Sequence, residues 1–230
     1  MTNFMSNSIF FGAALSLIAY EVGLLLKRKF KMAIFNPLLI SIIAVIAVLC
    51  LLHIDYDTYN QSGQYISYLL TPATVCLAVP LYQQMELLKK NLKAVVIGIV
   101  SGVLASLVSV LILARLFRLS HEQYVTLLPK SITTAIGMGV SEELGGTVTI
   151  TVAVIIITGI LGNVIADTVF HIFKIKNPLA KGLALGTASH AIGTARAIEM
   201  GPVEGAMSSL AVAVAGLLTV VFVSGFAQLI

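Results

Sequence analysis

Residues 186–209 read GTASHAIGTARAIEMGPVEGAMSS. Apolar segments long enough to enter a bilayer flank the stretch, yet it carries His190, Arg196, Glu199 and Glu204 among serines, threonines and glycines. A charged side chain at the bilayer centre costs about 2.5–3.5 kcal/mol on insertion scales, so ionisable groups at that depth usually face a cavity and mark a solute path. Gly186, Gly193 and Gly201 loosen a helix here, and Pro202 blocks its continuation. Non-helical backbone at membrane depth is tolerated only where protein buries it or water lines it. The stretch therefore predicts a broken helix that presents polar backbone and Arg196 to a small anion. The plainer alternative is a surface loop between two shorter helices.

The rest of the composition fits that setting. Apolar residues make up 58% of the chain and charged residues 10%, against about 25% charged in soluble proteins. Several apolar runs approach the roughly 20 residues that span a bilayer as a helix. The expectation is an all-α polytopic membrane protein, a single transmembrane transporter domain over 1–230, with the lipid bilayer as its surroundings. The net charge of +4 does not predict a nucleic-acid partner, because Lys and Arg cluster in loops, as the positive-inside rule expects. Cys50 and Cys76 lie in apolar context with no metal-ligand spacing, so no disulfide, metal or cofactor is expected. Neither a nucleophile–base pair nor a glycine-rich phosphate loop is present to suggest an enzyme.

Charge and breakers divide the chain. Residues 8–26 form the first expected span, closed by the cytoplasmic basic run Lys27, Arg28, Lys29 and Lys31, which places the N-terminus outside. The second span is 37–52, followed by a polar outer loop at 53–64. The third, 65–88, is interrupted by Thr71-Pro72-Ala73-Thr74 and by Pro80. The fourth is 92–117, with a small-residue face from Gly98 to Ser109 suited to close helix packing, within one subunit or across a homodimer. Residues 131–146, SITTAIGMGVSEELGG, are too short to cross and are bounded by Pro129 and Gly145-Gly146, so they read as a re-entrant or half-length helix. Spans at 147–173, 179–200 (interrupted) and 205–230 follow, with a basic loop at 174–181 between the first two. That makes about seven spans plus the half helix.

Residues 69–102 and 185–216 resemble each other in hydropathy and breaker position when Thr71 is aligned with Thr187. The predicted organisation is an N-terminal span and basic loop at 1–33, repeat 1 at 34–117, a linker and re-entrant helix at 118–146, and repeat 2 at 147–230. With the three basic loops, 27–31, 89–93 (Lys89, Lys90 and Lys93) and 174–181, on one face, the two three-span repeats are inverted, each with a broken central helix. Many secondary transporters share this layout and bind their solute at the repeat interface near midplane.

Arg196 offers a planar fork that fits a carboxylate. Thr187, Ser189, Thr194, Ser131, Thr133, Thr134, Thr71 and Thr74 offer hydroxyls for other oxygens of the same solute. An ion pair between Arg196 and Glu199, three residues on, is the structural alternative. His190 titrates near neutral pH and is the candidate proton carrier, with a backbone hydrogen bond as the alternative. Glu199, Glu142 and Glu143 are further coupling candidates, and Asp167 with Asn163 could hold a cation or cap toward the basic loop.

The segments PKSITTAIGMGVSEELGG (129–146) and ASHAIGTARAIEMGPVEGAMSSLAVAVAG (188–216) closely resemble the LrgB/CidB family. The likeness covers essentially the whole chain and keeps Pro129, Lys130, Ser131, Ser189, His190, Gly193, Thr194, Arg196 and Glu199 of the family motifs. The plant plastid glycolate/glycerate translocator carries a similar domain. The resemblance implies transport of small hydroxy- or keto-monocarboxylates such as glycolate, glycerate, lactate or pyruvate across a bacterial cytoplasmic membrane. It also implies the alternative of an antiholin-like or holin-like regulator of murein hydrolases and lysis, paired with an LrgA/CidA-type membrane protein.

Overall fold

The computed structural model of the chain describes residues 10–30, 35–76 and 78–230, without the side chains of Leu70, Thr71, Thr74 and Leu81. The start of the first expected span, Lys31, and the Thr71 and Thr74 hydroxyls lie outside what is described. The described residues form two compact units, 1–76 and 77–230.

The first unit contains α1 (Phe11–Phe30), α2 (Pro37–Leu52), α3 (Tyr56–Ser67) and α4 (Leu70–Cys76). Asn36 opens α2 by accepting the N–H groups of Leu38 and Leu39, with Pro37 in the first turn. The polar loop expected at 53–64 is a helix from Tyr56 onward. Asp55 starts it, accepting from the Thr58 N–H at 3.0 Å and the Thr58 hydroxyl at 2.7 Å. Its inner face docks on α1. The Gly12 N–H donates to Ser62 Oγ, and Ser16 Oγ shares a 2.7 Å hydrogen bond with the Tyr59 hydroxyl. Gly12 permits this approach, since a Cβ there would stand 2.2 Å from the Tyr59 carbonyl oxygen.

Further along, the interrupted span expected at 65–88 is a series of short helices. α4 is followed in the second unit by α5 (Ala78–Gln83) and α6 (Met85–Lys90). Pro72 and Pro80 each remove a backbone donor. Gln84, with φ −109° and ψ 20°, separates α5 from α6.

The second unit continues with α7 (Leu92–Leu116), α8 (His121–Leu127), α9 (Thr134–Glu143), α10 (Val148–Ile172), α11 (Pro178–Met200) and α12 (Pro202–Ala227). Three of these, α7, α10 and α12, have 25, 25 and 26 residues and are apolar enough to cross a membrane. At 1.5 Å per residue each exceeds the ~30 Å hydrocarbon core. The chain is thus an all-helical membrane protein among its described residues. Val95, Ile99, Val103, Leu107 and Val110 make a buried stripe on α7 that shares one core with Met207, Ala211 and Ala215 of α12.

Register fixes which ends share a face. Leu183 packs on Gly98 and Thr187 on Gly102, so the start of α11 runs parallel to α7. At the far end Arg115 donates to the Leu229 carbonyl at 3.1 Å and Tyr124 to that of Phe226 at 2.9 Å. Lys89, Lys90 and Lys93 therefore lie on the same face as Lys174, Lys176 and Lys181, the cytoplasmic face by the positive-inside rule.

Two segments turn back on themselves. Thr147 Oγ1 donates to Glu122 Oε1 at 2.9 Å, and Thr151 Oγ1 reaches both the Thr126 carbonyl (2.9 Å) and Ser141 Oγ (2.7 Å). Residues 122–147 hence form a closed hairpin, α8 in and α9 out, that returns to the face opposite the lysines. The second is α11 itself. Ser189 (φ −132°, ψ 15°) and His190 (φ 42°, ψ −140°) break it. In a straight helix Gly182 and Ile198 would be about 24 Å apart. Instead Gly182 abuts Glu204 and Ile198 abuts Gly205, on adjacent residues of α12. A Cβ on Gly193 would lie 2.7 Å from the Leu185 carbonyl oxygen, eight residues back. The interrupted span expected at 179–200 is corrected accordingly. It reverses at Ser189–His190 and leaves by the cytoplasmic face it entered. Among the described residues, the segment expected as repeat 2 thus contains two long apolar helices and one hairpin. Each hairpin is followed by one long helix, and the two pairs, 121–172 and 178–227, enter from opposite faces.

Candidate functional site

The hairpin tips are where the backbone leaves helical geometry deep within the second unit. Leu128, Pro129 and Ile132 are buried and anchor the first tip, which positions Lys130 and Ser131 beside α7. Ser106 Oγ donates to Ser131 Oγ at 3.0 Å, and Lys130 Nζ donates to the same oxygen at 3.0 Å. Ser106 is the fifteenth residue of the 25 in α7, about 21 Å from its cytoplasmic end. A cavity of about 760 Å³ runs along α7 and the first arm of α11 to this point. Asn91 and Asn177 stand at its cytoplasmic end. Ser101, Ser106, Ser109, Thr187, Lys130 and Ser131 give its wall polarity, and the remaining lining is small or aliphatic. Among the described residues no aspartate or glutamate lines it.

The second tip is tightly packed. Ser189 is 2% exposed, and a Cβ on Gly162 would stand 1.7 Å from its hydroxyl. His190 is buried with Nε2 3.0 Å from the Ile155 carbonyl oxygen. Its φ of 42° puts a side-chain-bearing residue in a region L-residues avoid, a strain of about 1–3 kcal/mol. Thr194 Oγ1 donates to the His190 carbonyl and pairs with Ser208 Oγ at 2.8 Å, fastening the second arm to α12. Asn163 Nδ2 donates to the Ile192 carbonyl at 2.9 Å. Gly137 of the first hairpin rests on Ile155, the residue that holds His190, so both hairpins meet α10 at one level.

Of the residues predicted from sequence, Ser131 and Thr187 line the cavity. The Thr187 hydroxyl donates to the Leu183 carbonyl at 2.8 Å. Ser189, His190 and Thr194 are buried in the second tip, outside the cavity lining. Thr133 and Thr134 are half-buried where α9 begins. Glu142 and Glu143 are exposed at the end of α9. Arg196 does not line the cavity. Its guanidinium donates to both Asp167 and Glu199, so Asp167 pairs with the arginine. Lys130 was visible only as part of a motif, and Ser101, Ser106 and Ser109 only as a packing face. One sequence signal could have found them: a lysine behind a proline, at the start of a segment too short to cross.

A family model described as the LrgB-like family matches residues 16–229. The antiholin-like protein LrgB of Bacillus subtilis (strain 168) is 39% identical over 224 residues, 97% of this chain and 97% of that protein. The antiholin-like protein LrgB of Bacillus mycoides (strain KBAB4) is 40% identical over 218 residues, 94% of this chain and 95% of that protein. No solved structure matches the chain.

Proposed function

The chain belongs to the LrgB-like family, and from that premise we propose that it carries small hydroxy- or keto-monocarboxylates, of the glycolate, glycerate, lactate and pyruvate class, across the bacterial cytoplasmic membrane. One observation supports this above the rest. Two helical hairpins enter the second unit from opposite faces and put their non-helical tips at mid-length of α7 and α10. Unwound backbone at that depth needs protein or water to satisfy it, and inverted elements meeting at midplane suit alternating access. The pairs 121–172 and 178–227 are the units we take as inverted repeats. His190, held at one tip, is our candidate for a coupled proton.

The relatives are named antiholin-like proteins, which favours a second reading; under it we take the chain to regulate murein hydrolases and lysis with an LrgA/CidA-type partner. Purified chain in liposomes separates the two. A carrier takes up labelled glycolate, glycerate or pyruvate without any partner protein. Absence of uptake for all of them, with the protein correctly inserted, would refute the carrier reading and leave the regulator.

A further inference from the structure

Lys130 stands at the deep end of the 760 Å³ cavity, and none of the residues lining that cavity is acidic. Its partner among the described residues is Ser131 Oγ. An ammonium group has three N–H donors and a hydroxyl has one. One Lys130 donor goes to Ser131. Ser131 Oγ accepts that bond and a second from Ser106, so its own proton is used by neither. Two donors from Lys130 and one from Ser131 are therefore left over at one spot, on and beside a cation with no counter-charge among the described residues. Burying a charge without compensation is costly, and a group that leaves such donors unspent fits an acceptor-only, negatively charged ligand.

We propose that Lys130 and Ser131, braced by Ser106, form the oxyanion subsite of this protein and bind the carboxylate of a small monoanion. The assignment rests on the carrier reading and adds to it a residue set and a charge selectivity. Lys130 is the only charged residue among the described residues of the lining. A dicarboxylate bound there has its second charge against alanines, leucines and hydroxyls, with no cation to pair it. Monocarboxylates should therefore bind and dicarboxylates of similar size should not. A phospholipid headgroup phosphate has the same oxyanion chemistry, and the apolar walls would accept a lipid chain, so the test must tell the two sources apart.

The test is equilibrium binding of labelled glycolate and pyruvate to the full chain in a sugar-headgroup detergent, which carries no anion of its own. Lys130→Gln should weaken binding at least about tenfold, as loss of a charge-assisted bond predicts. Lys130→Arg should stay within about threefold, and Ser131→Ala should weaken binding about fivefold. Malate or succinate should compete at least about tenfold less well than glycolate. Unchanged affinity in Lys130→Gln overturns the proposal, as does equal competition by a dicarboxylate. If Lys130→Gln is not monodisperse, Ser131→Ala carries the test, and unchanged affinity there overturns it. Phospholipid retained by the wild type but not by Lys130→Gln, with no carboxylate bound, overturns the carboxylate in favour of a lipid headgroup. Failure of the carrier reading looks different. Lys130-dependent binding without uptake into liposomes keeps the subsite and removes the carrier. Uptake by Lys130→Gln with wild-type KM keeps the carrier and removes the subsite.

Discussion

Arg196 and Lys130 are both cations held among apolar helices, and they differ in what answers their charge. Arg196 lies between Asp167 on α10 and Glu199 on its own helix, and the three form a compensated cluster. Lys130 has hydroxyls around it and a cavity in front. A cation in an apolar segment is a site only if its charge is left over after the fold has paired what it can. The sequence points to Arg196, since arginine fits a carboxylate best. Glu199 was visible three residues away, but Asp167 is brought over only by the way the second arm of α11 lies along α10.

The sharpest way to break the contrast is to neutralise each cation in turn and measure uptake. Lys130→Gln should raise KM at least about tenfold. Arg196→Gln should leave KM within about threefold, because its charge is already spent. The reverse pattern would restore Arg196 as the anion's partner.

Packing variants come next in size. Gly186 in the first arm of α11 faces Ser208 of α12, where a Cβ would lie 2.4 Å from the Ser208 carbonyl oxygen. Gly186→Val should separate arm from helix and destabilise by about 3 kcal/mol or more, read as loss of monodispersity and an earlier thermal transition. Gly139, with nothing within 4 Å of a Cβ, is the control, and Gly139→Ala should be neutral or slightly stabilising.

A smaller effect tests the strained tip. His190→Ala removes the bond to Ile155 and keeps the strained φ, whereas His190→Gly removes both bond and strain. The glycine variant should be the more stable by about 1 kcal/mol. A more stable alanine variant would mean that the backbone at 190 is not held in this conformation.

The smallest effect belongs to the compensated cluster. The Asp167 and Glu199 side chains are 58% and 48% exposed, so Asp167→Asn should cost at most about 1 kcal/mol. The thermal transition of the purified variant checks it.

How much of this could be read from the chain divides along the same line. The three longest apolar helices, the lysine clusters at 89–93 and 174–181, and the shortness of 131–146 follow from composition and breaker position and are legible. Reversal of α11 is not. Pro202 and three glycines suggest a break, but the turn falls at Ser189–His190, between residues that carry no breaker signal. What lets the arms fold back is close contact at Gly182, Gly186 and Gly193, a tertiary fact. The α3 helix is hidden for a different reason: its polar composition masks a cap at Asp55 and a docking side at Tyr59 and Ser62. Ser131 and Thr187 are readable from the sequence as hydroxyl-bearing candidates, whereas the setting of Lys130 depends on α7, which is distant in sequence.

Everything assigned to Lys130 depends on 122–147 and 178–200 each turning back to its own face. Single cysteines at Gln123, Glu143, Lys176 and Pro202, with Cys50 and Cys76 replaced by serine, can be probed in intact cells with an impermeant maleimide. The hairpins predict that positions 123 and 143 react from outside, and that 176 and 202 react only after the membrane is opened. Opposite labelling within either pair would mean that the segment crosses the bilayer, and the cavity with its uncompensated cation would go with it.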